Sequence, residues 1–190
     1  MPENISQIPA SRVPITFTEM ISREWYRFFY NIFAVLGSGS LRYGVFHSSD
    51  SQPLAVANVA QAITYSATDI TAGAYIGAPA SRIYVDRPGA YNFQFSLQLV
   101  SRDPSTKFVY IWARINDTDV ANSATKITMQ GNNDAYVAAW NFVLRMNTGD
   151  YFELMWSGSN ANLEIEASAA AAPYPAIPSV IMTVSCNIGE

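Results

Sequence analysis

The sequence is short of charge and nearly empty of the residues that do most enzyme and metal chemistry. Of its 190 residues, 14% are Asp, Glu, Lys or Arg, against roughly 25% in an average soluble protein. A single cysteine, Cys186, excludes an internal disulfide framework and any cysteine-based zinc cluster. A single histidine, His47, leaves a catalytic triad or a histidine metal site only one position to occupy. Two lysines, Lys107 and Lys126, stand beside nine arginines, and the net charge is −4. There is thus no basic footprint for nucleic acid. No apolar run approaches the roughly 18 residues of a membrane span. The opening MPENISQIPASR lacks the basic and apolar regions of a secretory signal, so none is predicted.

What is abundant is apolar and aromatic: 49% hydrophobic residues and 13% Phe, Trp and Tyr. With so little charge to cover an exterior, part of the outside is predicted to lie against other protein chains.

Four segments are predicted: an extended arm (1–21), a helix (22–36), a linker (37–53) and a β-domain (54–190). The arm places Pro2, Pro9 and Pro14 among short polar residues, and each proline pushes its predecessor out of the helical region. In the helix, Ser22 stands at the N-cap and Glu24 in the first turn, where the helix dipole favours an acid. Gly37 stands at a left-handed C-cap position. Trp25, Phe28, Phe29, Ile32 and Leu36 share one face by helical spacing, while Tyr26, Tyr30 and Phe33 lie outside that stripe, so the helix is apolar on more than one side. Gly37-Ser38-Gly39-Ser40 reads as a flexible link.

Beyond residue 54, short β-rich runs alternate with turn clusters, the pattern of an all-β sandwich. Ten strands are predicted, near 54–65, 70–76, 82–86, 90–101, 107–116, 124–130, 135–147, 151–157, 162–168 and 179–187. In 91–99, Tyr91, Phe93, Phe95, Leu97 and Leu99 alternate with Asn92, Gln94, Ser96 and Gln98, one face for the core and one for the outside. Residues 108–115 and 136–146 are apolar on both faces. The second face is predicted to need cover from a partner subunit, with Tyr110, Trp112, Tyr136, Trp140 and Phe142 in the core or at that interface.

Gly89-Ala90-Tyr91-Asn92-Phe93-Gln94-Phe95 resembles the G-x-Y-x-F-x-F motif of the globular head of the complement recognition subunit, which shares its jelly roll with the tumour necrosis factor superfamily. Leu144, Gly149-Asp150 and Leu154 resemble that family's L-x-x-G-D segment in the same order. The resemblance covers roughly 50–188. It implies an antiparallel jelly roll of about ten strands that assembles as a tight trimer around an aromatic axis. The flanks resemble another setting: 22–33 is similar to the N-terminal helix, and 176–184 to the C-terminal strand, of many tailed-bacteriophage structural proteins. Together these imply a phage virion protein made of arm, helix, linker and trimeric jelly roll.

Reactive groups have plainer readings. His47, beside Ser48, Ser49 and Asp50, reads as an exposed turn histidine. Glu164 and Glu166, at i and i+2, read as a solvated strand face. Asp117 and Asp119 could begin a calcium site, but turn chemistry suffices for them. Cys186 reads as a buried thiol. Asn116-Asp117-Thr118 matches a glycosylation sequon, but no secretory signal gives it meaning. No catalytic residue, cofactor or metal is predicted, and neither nucleic acid nor membrane is an expected partner.

The leading expectation is a non-enzymatic, homotrimeric capsid decoration (cement) protein. Its partners would be other virion proteins, the major capsid protein foremost, and Trp25, Phe28, Phe29, Ile32 and Phe33 would attach it to the virion. The alternative is a tail or head fibre module that recognises a host surface ligand.

Overall fold

The computed structural model describes residues 15–17, 20–38 and 41–189. Most of the predicted arm lies outside these. The chain divides into two compact units, Met1–Ser40 and Leu41–Glu190.

The first unit holds β1 (Thr16–Phe17), β2 (Met20–Ile21) and α1 (Arg23–Ser38). β1 and β2 pair antiparallel, and the Ser22 amide donates to the Ile15 carbonyl at 2.8 Å, so the described end of the arm folds back on itself. The helix begins as predicted, with the Tyr26 amide bonded to the Ser22 carbonyl, but the Ser22 hydroxyl makes no capping bond. It also runs through Gly37 to Ser38, so Gly37 is not a C-cap. Trp25, Phe28 and Phe29 form a cluster with ring centroids 5.6 Å apart. Tyr26 and Tyr30 stack separately at 6.3 Å.

The second unit holds β3 (Tyr43–Ser48), β4 (Gln52–Pro53), β5 (Gln61–Ala62), β6 (Ala67–Ala72), β7 (Ala74–Ile76), β8 (Ile83–Val85), β9 (Gly89–Ser101), β10 (Thr106–Ile115), β11 (Thr118–Asp119), β12 (Thr125–Gln130), β13 (Ala135–Met146), β14 (Tyr151–Gly158), β15 (Leu163–Ile165) and β16 (Val180–Gly189). One sheet runs β11-β10-β14-β8-β7, with β12 on β10 and β5 on β14. The other runs β4-β15-β9-β16-β3-β6, with β13 along the free side of β9. All pairings are antiparallel, and the chain crosses between sheets at β4–β5, β5–β6, β6–β7, β8–β9, β9–β10, β12–β13, β13–β14 and β14–β15. This is an all-β jelly-roll sandwich, built mainly on eight strands of six or more residues.

The alternation in 91–99 is realised. Tyr91, Phe93, Phe95, Leu97 and Leu99 are buried, and their neighbours face outward. Across the sandwich, Phe152, Leu154 and Trp156 on β14 meet them, with Phe93 stacked on Phe152 at 4.1 Å. Val109, Ile111 and Ala113 from β10 and Val180, Met182 and Val184 from β16 complete the packing.

The structure corrects the expected strand map in four places; one is that 70–76, predicted as a single strand, divides at Gly73 into β6 and β7, which belong to different sheets. Residues 43–48, predicted as linker, form β3, paired between β16 and β6. Only Gly44 and Phe46 of its inward positions meet the core, too few to show as periodicity. Gly44 is needed there because a Cβ would stand 2.4 Å from the Phe46 ring. Residues 54–65, predicted as a strand, form an irregular segment with only β5 inside it. Side chains take the bonds that a ladder would use: Gln61 bonds the Ala55 amide and the Pro53 carbonyl, and Gln52 bonds the Thr64 amide and carbonyl. The strand predicted over 162–168 stops at Ile165. Two isolated bridges, Ser168 to Ile177 and Ala171 to Tyr174, follow it.

Phe93 and Phe152 are both fully buried, so removing either ring leaves a cavity between the sheets. Phe93→Ala should lower the unfolding free energy by about 3–5 kcal/mol. Val56→Ser, on an exposed loop, should change it by less than about 0.5 kcal/mol. Urea titration of the two variants followed by tryptophan fluorescence measures both.

Candidate functional site

The motif residues that carry the family resemblance are architectural. Gly89, Tyr91, Phe93 and Phe95 lie on β9, and the Tyr91 hydroxyl donates to the Arg87 carbonyl at 2.9 Å. Gly149 adopts φ +83°, a left-handed conformation that glycine enters without steric cost. It opens a clasp in which Asp150 accepts from the Asn147 amide at 2.6 Å and from the Asn116 side chain at 2.7 Å. Asn116 in turn accepts from the Tyr151 amide at 3.0 Å. The clasp ties two turns at one end of the sandwich and holds Asn116 and Asp117 at φ 48° and 62°.

No reactive constellation emerges around the single histidine. His47 stands half-buried in β3, not in an exposed turn. The register shift between β3 and β6 leaves Asp69 as an extra, unpaired residue, and a bulge of this kind re-aims a side chain. Here it brings Asp69 within 3.3 Å of the His47 ring. The pair lies in a groove of about 480 Å3 shared with Ser49, Ser168, Ile177 and Ile181. Among the described residues the side-chain partner of the His47 ring is Asp69.

The other candidates are occupied by neighbours. Glu164 and Glu166, expected as a solvated face, are half-buried and both pair with Arg102, Glu164 at 3.7 Å. Asp117 pairs with Arg82 at 2.9 Å and Asp119 with Arg114 at 2.7 Å. Among the described residues no group of three or more metal-ligating side chains converges. Cys186 is half-buried.

A buried cation was not anticipated. Lys107 is fully buried at the start of β10, where its ammonium meets the Asp103 and Ser105 carbonyls and lies 3.4 Å from the Asp103 carboxylate. The turn at Asp103 is locked by the Ser105 hydroxyl and amide, which donate to Oδ1 at 2.6 and 2.8 Å. Those bonds, with Lys107 and Asn162 adding to them, hold the Asp103 carboxyl well below the usual carboxylate range.

The two outer faces of the sandwich differ in chemistry. On the sheet containing β9, the outward residues include Asn92, Gln94, Ser96 and Gln98 of β9, Ile181 and Thr183 of β16, and Val137, Ala139, Asn141 and Val143 of β13. Val137 and Val143 are 56% and 62% exposed. Its ionisable groups stand at the margins: Arg145, the His47–Asp69 pair, and Arg102 with its two glutamates. On the sheet containing β10, register sets Tyr75, Tyr84 and Tyr151 abreast on β7, β8 and β14. The next row holds Arg82, Glu153, Arg114 and Asp119 in alternating sign.

The predicted aromatic residues divide between these faces. Tyr110 and Trp112 lie on the outer side of β10, where the Trp112 indole donates to Asp119 at 2.8 Å and the Lys126 ammonium covers Phe108 at 3.7 Å. Trp140 and Phe142 face inward from β13 and pack on Phe95, with Trp140 at 4.6 Å and Phe142 at 5.9 Å. Tyr136, at the same strand's end, is about half exposed. In the first unit, Trp25, Phe28 and Ile32 are half-buried and Phe29 is 45% exposed. The Phe33 side chain lies outside the described residues.

No family model matches the chain. No curated protein matches it either. Among solved structures, it is similar to the globular domain of the zebrafish complement 1qA protein, at 10% identity over 79% of this chain and 98% of that one, with a TM-score of 0.48.

The Asp103 bonds act only on the ionised carboxylate. Because its folded pKa is depressed, the stabilisation is present above the ordinary carboxylate value of about 4 and is lost as the pH falls below it. Asp103→Asn should therefore lower the melting temperature at pH 7, and the gap to the parent should narrow steadily below about pH 4, as read by calorimetry across that range.

Proposed function

We propose that the chain is a non-catalytic structural protein of a tailed-bacteriophage virion, a homotrimer through its jelly roll, fastened to other virion proteins by its first 36 residues. The observation that carries the assembly reading is the centre of the outer face of β13, β9 and β16, where no charged side chain stands among the described residues. A face of Asn, Gln, Ser, Thr and Val is costly to leave as the only cover of a sheet, yet inexpensive to bury against a copy of itself. At that centre no charge must be desolvated, and the amides and hydroxyls there can bond across the interface. The other edge of β13, unpaired among the described residues, adjoins this face. It is twelve residues long and carries Val137 and Val143 with no proline or lysine along it, the kind of edge that natural proteins cover. Tyr136, Trp140 and Phe142 of the predicted interface belong to that margin. Tyr110 and Trp112 lie on the opposite sheet and fall outside it.

The attachment reading rests on the division into two units and on the aromatic cluster of α1. Trp25, Phe28 and Phe29 offer anchors of the type that dominate interfaces, and three copies would act multivalently. The phage setting rests on the resemblance of the helix and the last strand to tailed-phage structural proteins. The capsid shell is the proposed partner.

Light scattering of the full chain at micromolar concentration should give three times 20.9 kDa. Val143→Glu should give a folded monomer. A wild-type monomer contradicts the assembly. Deleting residues 1–36 should leave a trimer that no longer joins particles, and full decoration by the truncated protein contradicts the anchor.

A further inference from the structure

We propose that the outer face of the β11-β10-β14-β8-β7 sheet is a binding platform for a neutral saccharide, centred on Tyr75, Tyr84 and Tyr151 and the Arg82–Asp117 pair. This goes beyond the assembly reading and does not depend on it, because the two faces belong to different sheets.

Tyr75 and Tyr84 come from the β7–β8 hairpin and Tyr151 from β14, distant in sequence, and register brings the three together. Tyr75 and Tyr84 are nearly parallel at 12°, with centroids 5.6 Å apart, and Tyr84 and Tyr151 are 5.2 Å apart. Tyr75 is 49% exposed, so the row ends in an open aromatic surface. The Arg82 guanidinium lies 4.2 Å over the Tyr151 ring and donates to Asp117 at 2.9 Å. Behind it, Glu153 is buried, accepts from the Ser81 hydroxyl at 2.6 Å and lies 3.5 Å from Arg82. Asp117 is aimed by its own backbone. Its φ of 62° is unfavourable for a residue with a side chain, and the Asn116–Asp150 clasp beside it fixes the turn.

Two features select the ligand class. First, the charges cancel: Arg82, Arg114 and Lys126 stand against Asp117, Asp119 and Glu153, and both arginines are already paired with carboxylates. Such a face exerts no net pull on an anionic polymer. Second, planar charged side chains locked by one another still present spare donors and acceptors, and they are held in place before any ligand arrives. Vicinal hydroxyls bridge such groups, while the C–H face of a pyranose ring lies on an aromatic ring. A protein partner is the competing occupant. It would have to bury five charged groups that are not yet buried, whereas the centre of the opposite face carries none.

The test is affinity electrophoresis of the full chain in native gels cast with dextran, laminarin, galactomannan or hydroxyethylcellulose, with heparin and polygalacturonate as anionic controls. At least one neutral polysaccharide should slow the protein twofold or more, and the anionic ones should not. Tyr75→Ala and Asp117→Asn should each restore the mobility of an inert reference, Tyr75→Phe should retain most of the retardation, and Val56→Ser should match the parent. Melting curves confirm that each variant is folded. Absence of retardation in all four neutral gels, retardation only in the anionic ones, or retardation that survives both Tyr75→Ala and Asp117→Asn overturns the proposal.

Discussion

The sandwich depends on the contact between the inner face of β9 and β14. β9 has partners along nearly its whole length on both sides, β13 on one flank and β16 with β15 on the other. Its five alternating apolar side chains fill the gap to the second sheet, and the Phe93–Phe152 stack joins the two at the centre. Once β9 is seated, the pleat fixes its alternate residues outward. Asn92, Gln94 and Ser96 then define the middle of the outer face, so one packing decision sets both the core and the surface offered to a partner.

That surface and its counterpart differ in chemistry. The sheet around β9 turns small, polar, uncharged groups outward at its centre and ends in a long edge that is unpaired among the described residues. The sheet around β10 turns aromatic rings and mutually neutralised charges outward. Low overall charge, the first property of the sequence, is thus not spread evenly: it is concentrated on the side where assembly is proposed. Charged residues are spent instead on Arg82, Arg114 and their carboxylate partners, and on the buried Lys107–Asp103 turn.

Where one face of a strand carries the core, the sequence was readable. The alternation from Tyr91 to Leu99, the doubly apolar β10 and β13, and the helix at Arg23 follow from periodicity. β3 was not readable, because Gly44 contributes no side chain and only Phe46 marks the buried face. Residues 54–65 are rich in β-formers but lose their ladder to Gln52 and Gln61, a competition that side-chain spacing does not reveal. The second apolar face of β10 is covered in part from within the chain, by Lys126 over Phe108 and by the Trp112–Asp119 bond, where a partner subunit was expected. The tyrosine row was invisible for a different reason. Tyr75, Tyr84 and Tyr151 are neighbours only through register, and β7 and β8 are three residues long, too short to show a period. The Asp69 bulge that builds the His47 pair is likewise a property of pairing, not of local sequence.

The central claim is that the two faces have different partners, one of them a copy of the same chain. Hydrogen–deuterium exchange of the full-length protein, followed by mass spectrometry across a dilution from micromolar to nanomolar, addresses it directly. Peptides spanning β13 and the middle of β16 should be protected at high concentration and lose that protection on dilution, while peptides from β7, β8 and β10 exchange at one rate throughout. Concentration-dependent protection of β7, β8 and β10, or none on β13, would contradict the account.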